Sequence, residues 1–197
     1  MSASFSHRPP WRSLLEQALK DRRDRPESRY FQLATIRSNG KPANRSVVFR
    51  GFLDSTHQLQ IVTDNRSDKI HQLHHSPWAE ICWYFSLTRQ QFRISAQTTC
   101  IDENTDNSFL LSKRSQVWQQ LSDATRQQFT WPACGTNRDK NGFPGTYPNP
   151  ETPLPNFVLV LFQPIEVDLV DLQESPPQRI HYQLQPDGDW SERSLNP

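Results

Sequence analysis

Long apolar runs, paired cysteines and an excess of either charge are all missing from this chain, and each absence removes a class of protein. No apolar stretch approaches the ~20 residues of a membrane-crossing helix. Residues 1–12 are polar and carry prolines instead of the apolar core of a secretory leader, so the cytoplasm is the expected location. Cys82, Cys100 and Cys134 are odd in number and have no C-x-x-C spacing, which argues against a disulfide framework or a zinc site and for reduced thiols. His71, His74 and His75 have no acid or thiol following at ligand spacing, so no metal is expected. Basic and acidic residues nearly cancel, 22 against 21, so neither nucleic acid nor an anionic membrane is an expected partner. Any recognition of an anion must be local.

What the chain does contain is aromatic mass. Apolar residues reach only 34%, yet six tryptophans and eleven phenylalanines bring enough buried area for a compact β-rich core. A length of 197 residues suits one domain, residues 1–197, large enough to close a barrel. Trp11, Leu14, Leu15, Ala18 and Leu19 follow helical spacing after Pro9-Pro10, giving one apolar stripe to pack on that barrel. Charged residues 21–29 end this helix, so 1–29 reads as an N-terminal helix and linker. Residues 30–37 read as a strand turning at Ser38-Asn39-Gly40, with a return strand over 44–53 and a third over 58–63. Ser67 is the expected cap of a helix over 67–75, with Ile70 and Leu73 on one face. Two long strands follow, 78–87 and 91–101. A helical period over 102–129 places Phe109, Leu110, Val117, Leu121 and Ala124 inside, and its polar residues are free to line a pocket. Prolines and glycines over 130–156 predict a long ordered loop, a kind that is often functional. Segments 157–162, 165–172, 179–184 and 190–193 complete the strands, with neither a repeat nor a domain linker.

The run Arg45-Ser46-Val47-Val48-Phe49-Arg50 reads as a buried strand with a guanidinium at each end, which a core does not need and a bound anion does. Residues 62–69, from Val62 through Thr63 and Ser67 to Lys69, end another apolar strand in a turn with hydroxyls and an ammonium group, the second half of a phosphate cradle. Residues five apart in a regular strand face opposite ways, so Arg45 and Arg50 are expected to do different jobs unless a bulge intervenes. Arg179-Ile180-His181 places two polar side chains on one strand face.

Together with Arg89-Gln90-Gln91-Phe92-Arg93-Ile94, these stretches resemble the pyridoxamine 5′-phosphate oxidase family of flavin-binding split barrels, over residues 30–197. The resemblance implies a mainly β split barrel with flanking helices, FMN as cofactor, a small phosphorylated substrate, and a homodimer with its flavins at the interface. It implies that Arg45 and Lys69 hold the FMN phosphate, that Thr63 and Ser67 add hydrogen bonds, and that Val47, Val48 and Phe49 supply backbone contact to the isoalloxazine. Gln91 reaches the ring edge, and Ser46, Arg50 and Val62 complete the implied cofactor set. Arg50, where the family usually has lysine, also faces the substrate. Lys113 and Ser115 stand where the family binds the substrate phosphate, with Phe109 replacing a tyrosine and Lys113 an arginine. Arg179 and His181 match the pair that flanks the reacting carbon, a catalytic role made of orientation more than covalent chemistry.

Three departures mark a divergent member. Asp168 stands in place of a flavin-contacting tryptophan, Gln183 in place of an arginine, and Asp68 in place of another arginine near the phosphate. The implied reaction is hydride transfer from a pyridoxamine-phosphate-like amine to the flavin, with reoxidation by dioxygen. Alternatives are an FMN reductase or oxidoreductase using a nicotinamide or deazaflavin donor, and a non-catalytic flavin- or haem-binding protein. Cys134 reads as an inert loop thiol, and Ser115 has no histidine and acid at nucleophile spacing, so a hydrolase is not expected.

Overall fold

The computed structural model describes residues 8–20, 26–139, 141–143 and 145–197. Strands β1 (Tyr30–Ile36) and β2 (Pro42–Val48) form an antiparallel hairpin in register from Tyr30 opposite Val48 to Ile36 opposite Pro42. Gly40 makes the turn with a φ of +77°, a backbone region that costs glycine nothing because it has no Cβ. Phe31, Leu33 and Thr35 of β1 point into the barrel, while Tyr30 and Ile36 are exposed. The same alternation continues in β5 (Trp78–Phe85), which buries Ala79, Ile81, Trp83 and Phe85, and in β6 (Gln90–Ile101).

The order of the path is β2-β1-β5-β6-β7-β4-β3, within a nine-stranded sheet among the described residues. Strand β7 (Phe157–Asp171) pairs with β6 along most of its length and changes partner on its other edge. Residues 157–162 pair with β4 (Leu59–Asp64), and 166–171 pair with β8 (Gln178–Leu184), which carries β9 (Trp190–Leu195). Strands β2 and β3 (Gly51–Phe52) lie at opposite ends of the path, yet only Phe49 and Arg50 separate them in the chain. The sheet must therefore curl until its ends meet, and the fork at β7 splits the barrel.

Phe31, Phe49, Trp83, Phe85, Phe92 and Phe162 fill the interior, joined by ring contacts. Helix α1 (Pro10–Lys20) lays Trp11, Leu15 and Ala18 on this core, as its spacing predicts, and the Trp11 ring lies 5.4 Å from that of Trp190. The segment expected to end this helix lies partly outside the described residues, at 21–25. Among the described residues no helix is long and apolar enough to cross a membrane.

Several local expectations are corrected. The return strand over 44–53 is broken: β2 stops at Val48, the Phe49 N–H donates to Arg29 O, the Arg50 N–H to Gln60 O, and Gly51 takes a φ of +123°. Only Phe49 of the run 45–50 is fully buried, with Ser46 exposed. The two strands expected over 157–172 are one, because Pro164 sits beside a β-bulge at Ile165, where a missing N–H is tolerated. The helical segment over 102–129 is two helices, α3 (Ser108–Gln120) and α4 (Asp123–Gln127), capped by Asn107 and Ser122. Phe109 and Ala124 are exposed, while Trp118 and the Arg114 guanidinium are buried. Trp118 is drawn in by Phe129 and Phe157, and Arg114 by Phe157 O at 2.9 Å and Leu154 O at 2.8 Å. Ser67 does precede helix α2 (Asp68–His75), but its hydroxyl makes no capping bond.

Candidate functional site

A cavity of about 580 Å³ opens where β2, β4 and the start of α2 face the loop that follows α4. That volume falls within the ~300–1,000 Å³ typical of small-molecule sites. Arg45, Ser46, Val47, Val48, Arg50, Val62, Thr63, Ser67 and Lys69 all line it. Arg45 and Arg50 share one cavity despite their parity because the strand breaks between them. Thr125 and Gln128 line it from the α4 region.

The cationic side is held by neutral groups. Lys69 Nζ donates to Thr63 Oγ1 at 2.7 Å and Ser67 Oγ at 3.1 Å, and the two hydroxyls lie 3.2 Å apart. Arg45 Nη1 donates to Leu33 O and Thr35 Oγ1, and Nη2 donates to Gln72 Oε1. Arg50 Nε is buried with no hydrogen-bond partner among the described residues. None of these three cations has a salt bridge to a carboxylate within the described residues. Burial lowers the pKa of each, with Arg37 adding to the effect at Arg45 and Arg29 at Arg50. Unpaired charge held partly out of water favours an incoming anion.

Asp64 also lines the cavity, but its carboxylate is committed elsewhere. Arg66 donates to it through its backbone N–H at 2.7 Å, Nε at 2.9 Å and Nη2 at 2.6 Å, and Asn156 Nδ2 donates at 2.6 Å. Burial alone would raise the Asp64 pKa; these bonds outweigh it and hold the group below the usual carboxylate range. Arg66 Nη2 also donates to Trp131 O and Asn156 Nδ2 to Phe129 O, which ties the loop to the rim of the cradle. That loop forms the far wall with Trp131, Pro132, Ala133, Cys134 and Gly135, and the Trp131 ring packs 5.6 Å from Phe143. The run Trp131-Pro132-Ala133-Cys134-Gly135 resembles a feature of a subgroup of the family in sequence, but the residue pattern gives these positions no role at a cavity wall.

Other implied site residues lie outside the cavity of their own chain. The Phe49 ring is in the core against Phe52 and Trp83. Gln91 Nε2 donates to Cys82 Sγ at 3.2 Å. Lys113 pairs with Asp54 at 2.8 Å, and Ser115 Oγ bonds back to Leu111 O within its helix. Arg179 bonds to Asp168 through Nε and Nη2, and Asp168 also accepts from Arg93. His181 Nε2 is 3.8 Å from Glu166. Register puts Gln32, Cys82, Arg93, Asp168, His181 and Arg193 in one row across the outer sheet face. Tyr30, Trp78 and Tyr84 share that face and are each about half exposed.

Comparison with known proteins agrees with this geometry. The family model for the pyridoxamine 5′-phosphate oxidase FMN-binding domain matches residues 8–102. The chain is 35% identical over 198 residues to pyridoxine/pyridoxamine 5′-phosphate oxidase 2 of Arabidopsis thaliana, covering 98% of this chain and 99% of that protein. A solved structure of a pyridoxamine 5′-phosphate oxidase-related, FMN-binding protein from Nostoc punctiforme PCC 73102 is 44% identical. It covers 97% of this chain, the match covers all of that one, and the TM-score is 0.94. The fold also matches PhzG of Burkholderia lata 383, with a TM-score of 0.76 at 20% identity over 100% of this chain and 98% of that one. Forked barrel, cation-lined cavity and full-length similarity to the plant protein lead to one assignment: the chain belongs to the pyridoxamine 5′-phosphate oxidase family of FMN-binding proteins.

Proposed function

We propose that the cavity holds FMN and that the protein is an FMN-dependent oxidase of a pyridoxamine-phosphate-like amine. The observation that carries the reading is the cradle: Arg45 and Lys69, held by hydroxyl, amide and carbonyl oxygens and free of carboxylate partners, fit a phosphate dianion. Thr63 and Ser67 hold Lys69 in place, and Val47, Val48 and Val62 offer an apolar wall to a ring system. Arg50, with its buried free Nε, is the group that would meet a further anionic or carbonyl oxygen. FMN, when bound, accepts a hydride from the substrate carbon and passes the electrons to dioxygen. The chain's own part is placement, charge and exclusion of water.

The proposed assembly is a homodimer in which Arg179 and His181 serve the cavity of the second copy. Support comes from their absence from their own chain's cavity and from the half-exposed Tyr30, Trp78 and Tyr84 on the same sheet face. In that arrangement Asp168 fixes the Arg179 guanidinium through two of its nitrogens. A second reading, an oxidoreductase with a nicotinamide or deazaflavin donor, draws on Lys113 and Ser115, both committed to partners inside the chain.

Purified protein should be yellow and release hydrogen peroxide when pyridoxamine 5′-phosphate is added. Flavin without peroxide would move the assignment to the second reading. A folded, colourless dimer that does not take up added FMN would overturn both. Arg45→Ala should lose flavin while remaining folded, and full occupancy in that variant would reject the phosphate role of Arg45.

A further inference from the structure

Behind the cradle, and outside the cavity lining, two buried polar residues converge on Arg45. Thr35 on β1 is 1% exposed and Gln72 on α2 is 9% exposed. Gln72 Oε1 accepts from Arg45 Nη2 at 2.8 Å and from Thr35 Oγ1 at 2.5 Å, while Thr35 Oγ1 accepts from Arg45 Nη1 at 2.5 Å. Leu33 O takes the other Nη1 hydrogen at 3.2 Å. A guanidinium has five N–H donors. Three of them are used here, all on the end formed by Nη1 and Nη2. The Nε–H and the second Nη2–H remain, and these form the side-on fork that matches two oxygens of a phosphate.

All three acceptors are uncharged. A carboxylate at the Gln72 position would orient Arg45 equally well but would cancel its charge, and an anion would then gain little from the pair. We propose that Gln72 and Thr35 are positioning residues: they aim the Arg45 fork into the cavity through neutral acceptors and so add no countercharge of their own against the phosphate of FMN. This rests on the cofactor assignment above.

The discriminating measurement is the ratio of affinities for FMN and riboflavin, which differ only in the phosphate. Flavin-free protein is titrated with each ligand, following quenching of flavin fluorescence, in wild type, Gln72→Glu and Thr35→Val. Thermal unfolding without flavin checks that each variant is folded, and Thr35→Val, which adds no charge, stands in if Gln72→Glu does not fold. Wild type should favour FMN, and each variant should reduce that preference about tenfold or more, the worth of one charge-assisted hydrogen bond. Riboflavin affinity should stay unchanged. An unchanged ratio in both variants, or equal weakening of both ligands, would overturn the positioning role. A wild-type protein that binds riboflavin as tightly as FMN would refute the phosphate cradle itself.

Discussion

Changing Asp168 to asparagine removes one negative charge from between two guanidinium groups while keeping the shape of the side chain. The carboxylate accepts from Arg179 Nε at 3.1 Å, from Arg179 Nη2 at 2.8 Å and from Arg93. Its side chain is 13% exposed, whereas those of Arg179 and Arg93 are 31% and 43% exposed. Hydrogen bonds to buried charges contribute about 1.5–3 kcal/mol each, and solvent-exposed pairs about 0.2–1 kcal/mol. A buried acid shared by two half-exposed bases falls between these limits, so the substitution should cost about 2 kcal/mol. For a chain of this size that corresponds to a fall in Tm of about 4–8 °C. Burial alone would raise the Asp168 pKa, but hydrogen bonds and charge from Arg179 and Arg93 outweigh it and hold the group below the usual range. A depressed native pKa means the stabilisation is complete above the unfolded value of about 3.9 and is lost as pH falls through the native one. Thermal unfolding of both proteins between about pH 3 and pH 7 should therefore show a gap that is widest near neutrality and closes in acid. A gap that is independent of pH, or absent near neutrality, would refute the reasoning.

Trp83→Ala should destabilise by about 3–5 kcal/mol in denaturant unfolding, because the ring is fully buried against Phe31, Phe49 and Phe85. Asp64→Asn should loosen the loop wall by about 1–2 kcal/mol, since Arg66 and Asn156 reach Trp131 O and Phe129 O from the same carboxylate. Limited proteolysis between residues 131 and 139 should then be about 5–30 times faster. Alkylation mapped by peptide mass should find Cys134, which is exposed, labelled well before Cys100, whose thiol burial and Asp102 push up to about 11.

The strands were legible where one face is buried and the other is not. Trp78–Phe85 alternates at every position, and that period is the physical signature of a half-buried strand. The breaks were not, because they depend on partners far along the chain. Phe49 and Arg50 leave the ladder to bond with Arg29 O and Gln60 O, and nothing local in 44–53 marks those acceptors. Helix α3 misled in the opposite direction: Phe109 reads as core and is exposed, while Arg114, which the spacing does not pick out, is buried. Arg114 satisfies one carbonyl at the start of β7 and one just before it, which makes its burial tolerable and turns the helix on that side.

Legibility of the site follows the same division. Residue type points to the proposed anion cradle, because the cations and hydroxyls at two strand ends do line one cavity. Residue type does not announce what aims the cations, since Thr35 and Gln72 look like ordinary polar positions of β1 and α2 until their oxygens meet Arg45. Nor does it show that a strand break puts Arg50 beside Arg45 in one cavity, although strict alternation would send them to opposite faces. A family pattern read along the chain therefore finds the groups that touch a ligand more readily than the groups that determine how much charge those contacts deliver. Asp168 and Gln72 illustrate the difference from opposite sides. An acid shared with Arg93 ties down Arg179 and offsets part of its charge, whereas an amide ties down Arg45 and offsets none. Two arginines that look equivalent in sequence are thus held by partners of different charge, and the one held by neutral groups is the one proposed above to meet the phosphate.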